Sequence, residues 1–295
     1  MPADRIAVLP GPAFSGRGRV RPRRWLYSVA GWTSTGLALL LLSAAMLWIL
    51  TMVFLRGFRA LSPSLFVTVT QGNGGGLLNA IEGTAVLSFG ALLIAVPLGL
   101  ASGIYISEYR HGYWAPIIRF LADILVGVPS IVLGYFGYVT MVEWLGWNFC
   151  IAAGSITVAV ICLPYICRTT ELALQQISTD LREATFALGA DDRRVILRVC
   201  LPAALPSILT GILLALAISV GETAPLLYTA GWSDYLWNGK LTHSPIGYLT
   251  YAIWTFINEP FASAHVLAYA AAFLVTSFVL LVHVVSRFVF DRRRG

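Results

Sequence analysis

Glu183-Ala184-Thr185, Gly189 and Val199-Cys200-Leu201-Pro202 punctuate a charged stretch lying between two apolar runs of membrane-spanning length. Asp180 can act as an N-cap with Glu183 three positions on, an Asp version of the capping box. From there Leu181, Ala184, Thr185 and Leu188 recur at i, i+3, i+4 and i+7 and share one helical face. Gly189 lets the chain turn out of the helix. Pro202 with Pro206 is expected to stop helical continuation ahead of the next span. A short helix with an apolar face, set in water between two spans, has no packing purpose within its own loop and needs an outside partner.

The rest of the chain is built for lipid. Of 295 residues, 58% are hydrophobic and 12% charged, with a mean hydropathy of +0.78. That leaves too little polar surface for a water-soluble globule, so the chain reads as an integral membrane protein. Crossing the ~30 Å hydrocarbon layer takes about 20 apolar residues. Such runs fall at roughly 29–55, 81–106, 117–141, 149–167, 205–228 and 264–288, which predicts an all-α membrane protein with six transmembrane helices.

Short loops rich in Arg and Lys stay on the cytoplasmic side. With the N-terminus inside, that side receives Arg5, Arg17, Arg19, Arg21, Arg23 and Arg24 of the tail and Arg110 and Arg119 of the second loop. It also receives Arg168, Arg182, Arg193, Arg194 and Arg198 of the fourth loop and Arg287, Arg292, Arg293 and Arg294 at the C-terminus, leaving Arg56, Arg59 and Lys240 outside. Both termini are therefore expected in the cytoplasm, and Trp114, Trp144, Trp147, Trp232 and Trp237 near the span ends suit interfacial anchors. The organisation read from this is a basic cytoplasmic tail over 1–28, a six-helix domain over 29–288 with a charged loop at 168–204 and an outer loop at 229–263, and a basic C-terminus over 289–295. A cleaved signal peptide is not expected, because the first apolar run is about twice the length of an h-region. The net charge of +6 is spread over loops and span ends, which suits anionic lipid rather than nucleic acid.

Gly72-Asn73-Gly74-Gly75-Gly76 is followed by no Lys-Ser or Lys-Thr and reads as a flexible turn. The chain contains no Gly-x4-Gly-Lys-Ser/Thr loop, so any ATP hydrolysis belongs to another subunit. The outer loop is aromatic, and its apolar stretch 246–257 is too short to span and suits a re-entrant or interfacial helix. It serves either as a cap over the outer mouth or as a docking surface. Cys150, Cys162, Cys167 and Cys200 lack metal or redox spacing and read as small buried hydrophobes. The four histidines are scattered, and no metal site is expected.

Ionisable groups at membrane depth are functional candidates by default. Glu222, in Val220-Gly221-Glu222-Thr223-Ala224-Pro225, is the clearest, since Pro225 frees backbone carbonyls close by. Its alternative is a structural carboxylate bonding a neighbouring helix. Asp123 is expected to pair with Arg119 at i, i+4, and Glu82 to reach the headgroups. Arg168, closing the fourth span, snorkels or contacts an anion near the inner mouth.

The spacing Glu-Ala-Thr, Gly189, Leu201-Pro202 resembles the EAA loop of bacterial ABC importer permeases, with Thr185 in place of Ala and Val199 in place of Ile. Gly83-Thr84, Val96-Pro97-Leu98-Gly99, Tyr105-Ile106-Ser107-Glu108-Tyr109, Val128-Pro129-Ser130-Ile131-Val132, Leu163-Pro164-Tyr165 and Arg168-Thr169-Thr170-Glu171 resemble one subfamily, the phosphate importer permeases of PstA type. Gly221-Glu222-Thr223-Ala224-Pro225-Leu226-Leu227 resembles it most specifically. The resemblance implies the MetI-like permease fold, in a chain that has no ATPase site and binds no cofactor, ATP and Mg being held by partner subunits. It implies four kinds of partner component: a second permease (PstC type), a dimer of ABC ATPases (PstB type), an extracytoplasmic phosphate-binding protein (PstS type) and inorganic phosphate itself. By the same resemblance Glu183, Ala184, Leu188, Gly189, Leu201 and Pro202 couple to the ATPase, while Arg168, Glu222 and Thr223, singled out by their place in the spans, are expected to line the substrate pathway. Many members carry Arg four residues before the Glu, where this chain has Ile218; an Arg of the partner permease is expected to face Glu222 instead. Sulfate or molybdate permeases and an ion-coupled secondary carrier are the alternatives.

Overall fold

The computed structural model describes residues 22–291. The arginines of 1–21 and 292–295, assigned above to cytoplasmic tails, lie outside the described residues. Helix α1 (Pro22–Ala60) carries its Pro at the first position, where the missing N–H is not needed. Packing divides the chain after Thr51. The first unit holds most of α1, a run whose side chains from Tyr27 to Ile49 are all exposed, as a lipid-facing span requires.

The second unit, from Met52, holds the helical bundle. Ahead of its first full helix the glycine cluster makes the turn and second strand of a minimal hairpin, with β1 (Thr70–Gln71) antiparallel to β2 (Gly74–Gly75). The hairpin is held because Thr70 N and Oγ1 both donate to the buried Asn79 Oδ1. Then come α2 (Leu78–Glu108), α3 (Trp114–Gly127) and α4 (Ser130–Gly137), the last continuing as a π-helical turn to Trp144. The segments 114–127 and 130–144 meet at 101°, so the expected straight span 117–141 is a broken one. Pro129 is the cause: it donates no backbone bond and drives Val128 into an extended conformation, ψ 127°.

Helices α5 (Ile151–Gln175), α6 (Thr179–Ala187), α7 (Asp192–Arg194) and α8 (Leu201–Gly221) follow. A π-helical turn at Val195–Cys200 joins α7 to α8, so Asp192–Gly221 runs as one 30-residue helix. The expected stop at Pro202 and Pro206 is thus corrected. Pro202 follows directly on the π turn, whose altered bonding pattern absorbs its missing N–H, and Pro206 forgoes only one bond. The helix stops instead at Gly221, short of the expected 228. The chain is extended at Glu222 before α9 (Ala224–Thr229), α10 (Leu249–Phe256) and α11 (Ala262–Asp291).

Among the described residues, five helices are long and apolar enough to cross a membrane, and six spans result if the bent pair is one. Small residues bring them together: Ala91 and Ala95 of α2, Ala159 and Cys162 of α5 and Ala215 of α8 share one core. A Cβ on Gly103 would lie 2.6 Å from both Cys167 O and Thr170 Cβ, so α2 and α5 approach there as only Gly allows. All four cysteines are buried and unbridged, as expected of small hydrophobes. The stretch 246–257 does contain a short helix, α10, whose Leu249, Ala252 and Phe256 pack with Leu77 and Ala80 of the α2 start and Leu267 and Ala271 of α11. The outer-loop aromatics largely face one another, Trp232 stacking on Tyr251 at 4.7 Å. Glu82 does not end free at the headgroups, since its Oε2 accepts from Trp237 N at 3.2 Å.

Candidate functional site

Helix α6 starts two residues earlier than expected. Its N-cap is Ser178, extended at ψ 144°, and no side chain caps the first turn. Asp180 instead lies inside that turn, where its charge complements the helix dipole, and Glu183 is too far along to close a capping box. What fixes α6 is Arg182, which donates to both oxygens of Glu108 at 2.6 and 3.0 Å and to the Leu174 carbonyl at 3.0 Å. One guanidinium so ties α6 to the last residues of α2 and α5. The Glu108 hydrogen bonds push the Arg182 pKa above its ordinary value, outweighing the opposing effect of partial burial, so the clamp stays charged.

The rest of α6 faces outward. Glu183, Ala184, Leu188 and Gly189 are all exposed, with Leu188 at 89% and Leu181 and Phe186 above 40%. Glu183 makes no ion pair among the described residues. Thr185 turns its hydroxyl back onto the Leu181 carbonyl. Gly189, at φ +82°, ends the helix in the left-handed conformation. Leu201 and Pro202 lie apart from this face in the sequence, in the first turn of α8, with Leu201 packed on a core of Leu174, Cys200 and Ala204 and Pro202 exposed.

Four charges link α3 to α5 in a chain that local spacing did not predict. Arg119 does not pair with Asp123; its Nε and Nη2 donate to Glu171 Oε1 at 3.0 and 2.5 Å. Arg168 donates to Glu171 Oε2 at 2.7 Å and to Asp123 Oδ1 at 2.6 and 3.1 Å. Gln175 adds a bond to Glu171 at 3.2 Å. The reason is burial: the Glu171 side chain is only 3% exposed, and a carboxylate taken out of water must gather counter-charge. Arg168, a candidate for the substrate pathway, is here engaged by two carboxylates. Glu108 and Glu171 were quoted above only as parts of a resemblance; the i, i+3 spacing of Arg168 and Glu171 was the available signal for one, and nothing local signalled the other.

At the far end of α8 the chain breaks at Glu222 and Thr223. The Glu222 carbonyl, freed by the break, accepts from Thr250 Oγ1 at 2.7 Å. The carboxylate is half-buried and has Ser130, the first residue of α4, beside it. Glu222 borders a cavity of about 10 Å³ together with Thr84, Ser88, Ser219, Tyr248 and Thr250, about the room of one water molecule. The buried hydroxyls of Ser88 and Tyr248 have no partner among the described residues. Thr223 precedes α9 without capping it. Ile218 packs against the main core, so position 218 serves packing in this chain. Glu222 and Thr223 are brought to one break, while Arg168 belongs to the α3–α5 charge chain.

Comparison with known proteins converges on the same arrangement. Residues 95–295 match the family described as binding-protein-dependent transport system inner membrane component. A relative from Mycobacterium bovis, "Phosphate transport system permease protein PstA 2", is 44% identical over 96% of this chain and 95% of its own. One from Yersinia pestis, "Phosphate transport system permease protein PstA", is 40% identical over 84% of this chain and 85% of its own. Among solved structures, the bacterial alginate ABC transporter in complex with its alginate-bound periplasmic protein aligns at TM-score 0.59 and 19% identity, over 92% of this chain and 96% of that one. The inward-facing MetNI methionine ABC transporter aligns at TM-score 0.54 and 21% identity, over 72% and 93%. The resemblance to PstA-type permeases read from the sequence is borne out, as is the MetI-like fold. The chain is a multi-pass membrane protein that belongs to the family of binding-protein-dependent transport system inner-membrane components.

Proposed function

We propose that this chain is the membrane-spanning permease subunit of an ATP-driven importer of inorganic phosphate. The observation that carries the reading is 44% identity, sustained over 96% of the chain, to a relative named as a phosphate transport permease. The chain sits in a bacterial cell membrane with both termini cytoplasmic, 1–28 and 289–295 forming basic flanks of the permease domain 29–288. It pairs with a second permease. A dimer of ATPase subunits, which bind ATP and Mg, grips α6 through Glu183, Ala184, Leu188 and Gly189, with Leu201 and Pro202 at the base of α8. A binding protein delivers phosphate from outside.

The geometry supports a mechanical role. A push on α6 passes through Arg182 into α2 and α5, the two helices that build the main core, and packed cores shift between discrete arrangements rather than deform smoothly. The 30-residue helix Asp192–Gly221 connects the charged end to the Glu222 break. There Glu222 and Thr223 line the path, with Arg168 nearer the charged end and an Arg of the partner permease supplying the charge missing at Ile218. Hydrogen phosphate has an OH to donate to the Glu222 carboxylate, which sulfate at neutral pH lacks.

In the assembled complex, Glu183→Lys and Gly189→Asp are expected to abolish uptake of labelled phosphate and loosen ATPase association while membrane insertion persists. Normal uptake by both variants would sink the coupling role. Uptake by the isolated chain that collapses with an uncoupler would establish an ion-coupled carrier instead, and ATP-driven uptake of molybdate or sulfate in place of phosphate would reassign the substrate.

A further inference from the structure

Arg56 and Arg59 of the last turns of α1, and His265 and Tyr269 of the first turns of α11, border one open cavity of about 570 Å³ whose rim includes Ser62. The two helices are held close there, because a Cβ on Gly57 would run into Phe273 Cβ. Arg56 is pre-oriented: its Nη1 donates to the Tyr269 hydroxyl at 2.6 Å, and its guanidinium carbon lies 5.1 Å from that ring's centroid. The His265 ring is fixed too, its Nε2 lying 2.7 Å from the Glu259 carbonyl.

The cavity has no counter-charge of its own. Arg119, Arg168, Arg182 and Arg194 each meet a carboxylate, whereas Arg56 and Arg59 meet none among the described residues. No Asp or Glu lines the cavity among the described residues. Two guanidiniums three residues apart on one helix repel each other, and low-dielectric walls focus their field into the cleft. A planar fork of N–H donors matches a phosphate group in both geometry and charge.

We propose that this cavity binds a phosphate-bearing anion, with Arg56 held ready by Tyr269, Arg59 closing over the ligand, and His265 and Ser62 at the rim. One chemistry covers two sources, the headgroup of an anionic lipid and free inorganic phosphate. The site stands at the ends of two membrane-length helices, where headgroups lie.

The full chain, reconstituted in nanodiscs, tests both sources. Native mass spectrometry compares retention of phosphatidylglycerol with that of phosphatidylcholine in the natural chain and in Arg59→Gln and Arg59→Lys. Arg59 is exposed and makes no bond that the fold uses. Arg59→Gln is expected to lose about fivefold in phosphatidylglycerol affinity, with Arg59→Lys retaining most of it. Retention that inorganic phosphate does not displace identifies the lipid. If retention is equal but added inorganic phosphate raises the melting temperature of the natural chain in phosphatidylcholine discs and not that of Arg59→Gln, the free anion is the ligand. Natural chain and Arg59→Gln behaving alike in both measurements would overturn the proposal.

Discussion

The two ends of the helix that runs from Asp192 to Gly221 are held in opposite ways. Beside its start Arg182 straps α6 to Glu108 of α2, and further along, level with the close approach of Gly211 to Thr169, Arg119 and Arg168 bind Glu171 and Arg168 binds Asp123. At its end, Glu222 has no ion pair among the described residues; its carboxylate has the Ser130 hydroxyl beside it, and Ser88, Tyr248 and Thr250 border the same small cavity. Ion pairs are directional and costly to break from one side, whereas hydroxyls rotate and exchange partners cheaply. The strapped end is thus built to move as one body, and the break is where the same motion can be taken up by local rearrangement.

The comparison can be broken most directly at Glu171. Glu171→Ala leaves two guanidiniums facing each other without the carboxylate that both bond. Thermal unfolding of the purified chain is expected to show a loss of about 3 kcal/mol. A loss below about 1 kcal/mol would mean that the charge chain is not a strap but a set of screened surface pairs. Arg182→Ala comes next, at about 2 kcal/mol, because Glu108 is 10% exposed but Arg182 keeps 22% of its surface in water. Its sharper readout is coupling: ATPase stimulation by the loaded binding protein should fall while the complex still assembles. Exchanging the charges, with Glu108→Arg and Arg182→Glu together, should recover part of the loss in a double-mutant cycle. No recovery would show that Arg182 acts through the Leu174 carbonyl alone.

How much of this was legible in the sequence depended on range. Helix α6 and its stop at Gly189 could be read because cap preference, apolar periodicity and the left-handed exit all act within about ten residues. The N-cap was misplaced because Ser178 and Asp180 are both good caps, and the decision belongs to how α5 ends at Gln175, not to α6. The bend at Val128-Pro129 carried a local signal, overridden in the reading by an apolar run that continues unbroken across it. Pro202 was over-read in the opposite direction, since a proline halts a helix only where its N–H would be missed. The clamps were out of reach altogether. Arg182 and Glu108 are 74 residues apart and Arg119 and Glu171 are 52 apart, so no periodicity links them. Asp123 went to a residue on another helix because the buried Glu171 had already drawn Arg119 away.

Glu222→Gln should separate the two ends on the same scale. The substitution keeps volume and most hydrogen-bonding capacity, and no cation among the described residues pairs with the carboxylate. The isolated chain is therefore expected to lose less than about 1 kcal/mol, well below Glu171→Ala. In the assembled complex the outcome differs: if the carboxylate meets an Arg of the partner permease, that Arg is left unpaired in a low-dielectric site and phosphate uptake falls steeply. With the binding protein bypassed, the variant should also discriminate less against sulfate. Full transport with unchanged selectivity would remove Glu222 from the pathway and leave the break as scaffold. A stability loss as large as that of Glu171→Ala would erase the contrast between the ends.

The smallest effect is expected at Tyr248, and it is informative for that reason. Its ring is almost fully buried, 1% exposed, and packs edge-on against Tyr251 at 5.6 Å, while its hydroxyl has no partner among the described residues. Tyr248→Phe keeps the ring and its packing and deletes only the oxygen. If the hydroxyl gains nothing in the folded chain, its removal relieves a desolvation cost and stability should hold or rise by up to about 1 kcal/mol. If it turns into the small cavity and bonds a water shared with Glu222, removal should cost about 1 kcal/mol, and the cost should shrink in the Glu222→Gln background because the water has already lost a charged partner. A melting curve for each single variant and for the pair decides between these outcomes. Coupling between the two positions would show that the break is organised by a polar network centred on Glu222. Strict additivity would leave Tyr248 as packing, and the hinge at Gly221-Glu222-Thr223 would then rest on backbone geometry and on the single bond from Thr250.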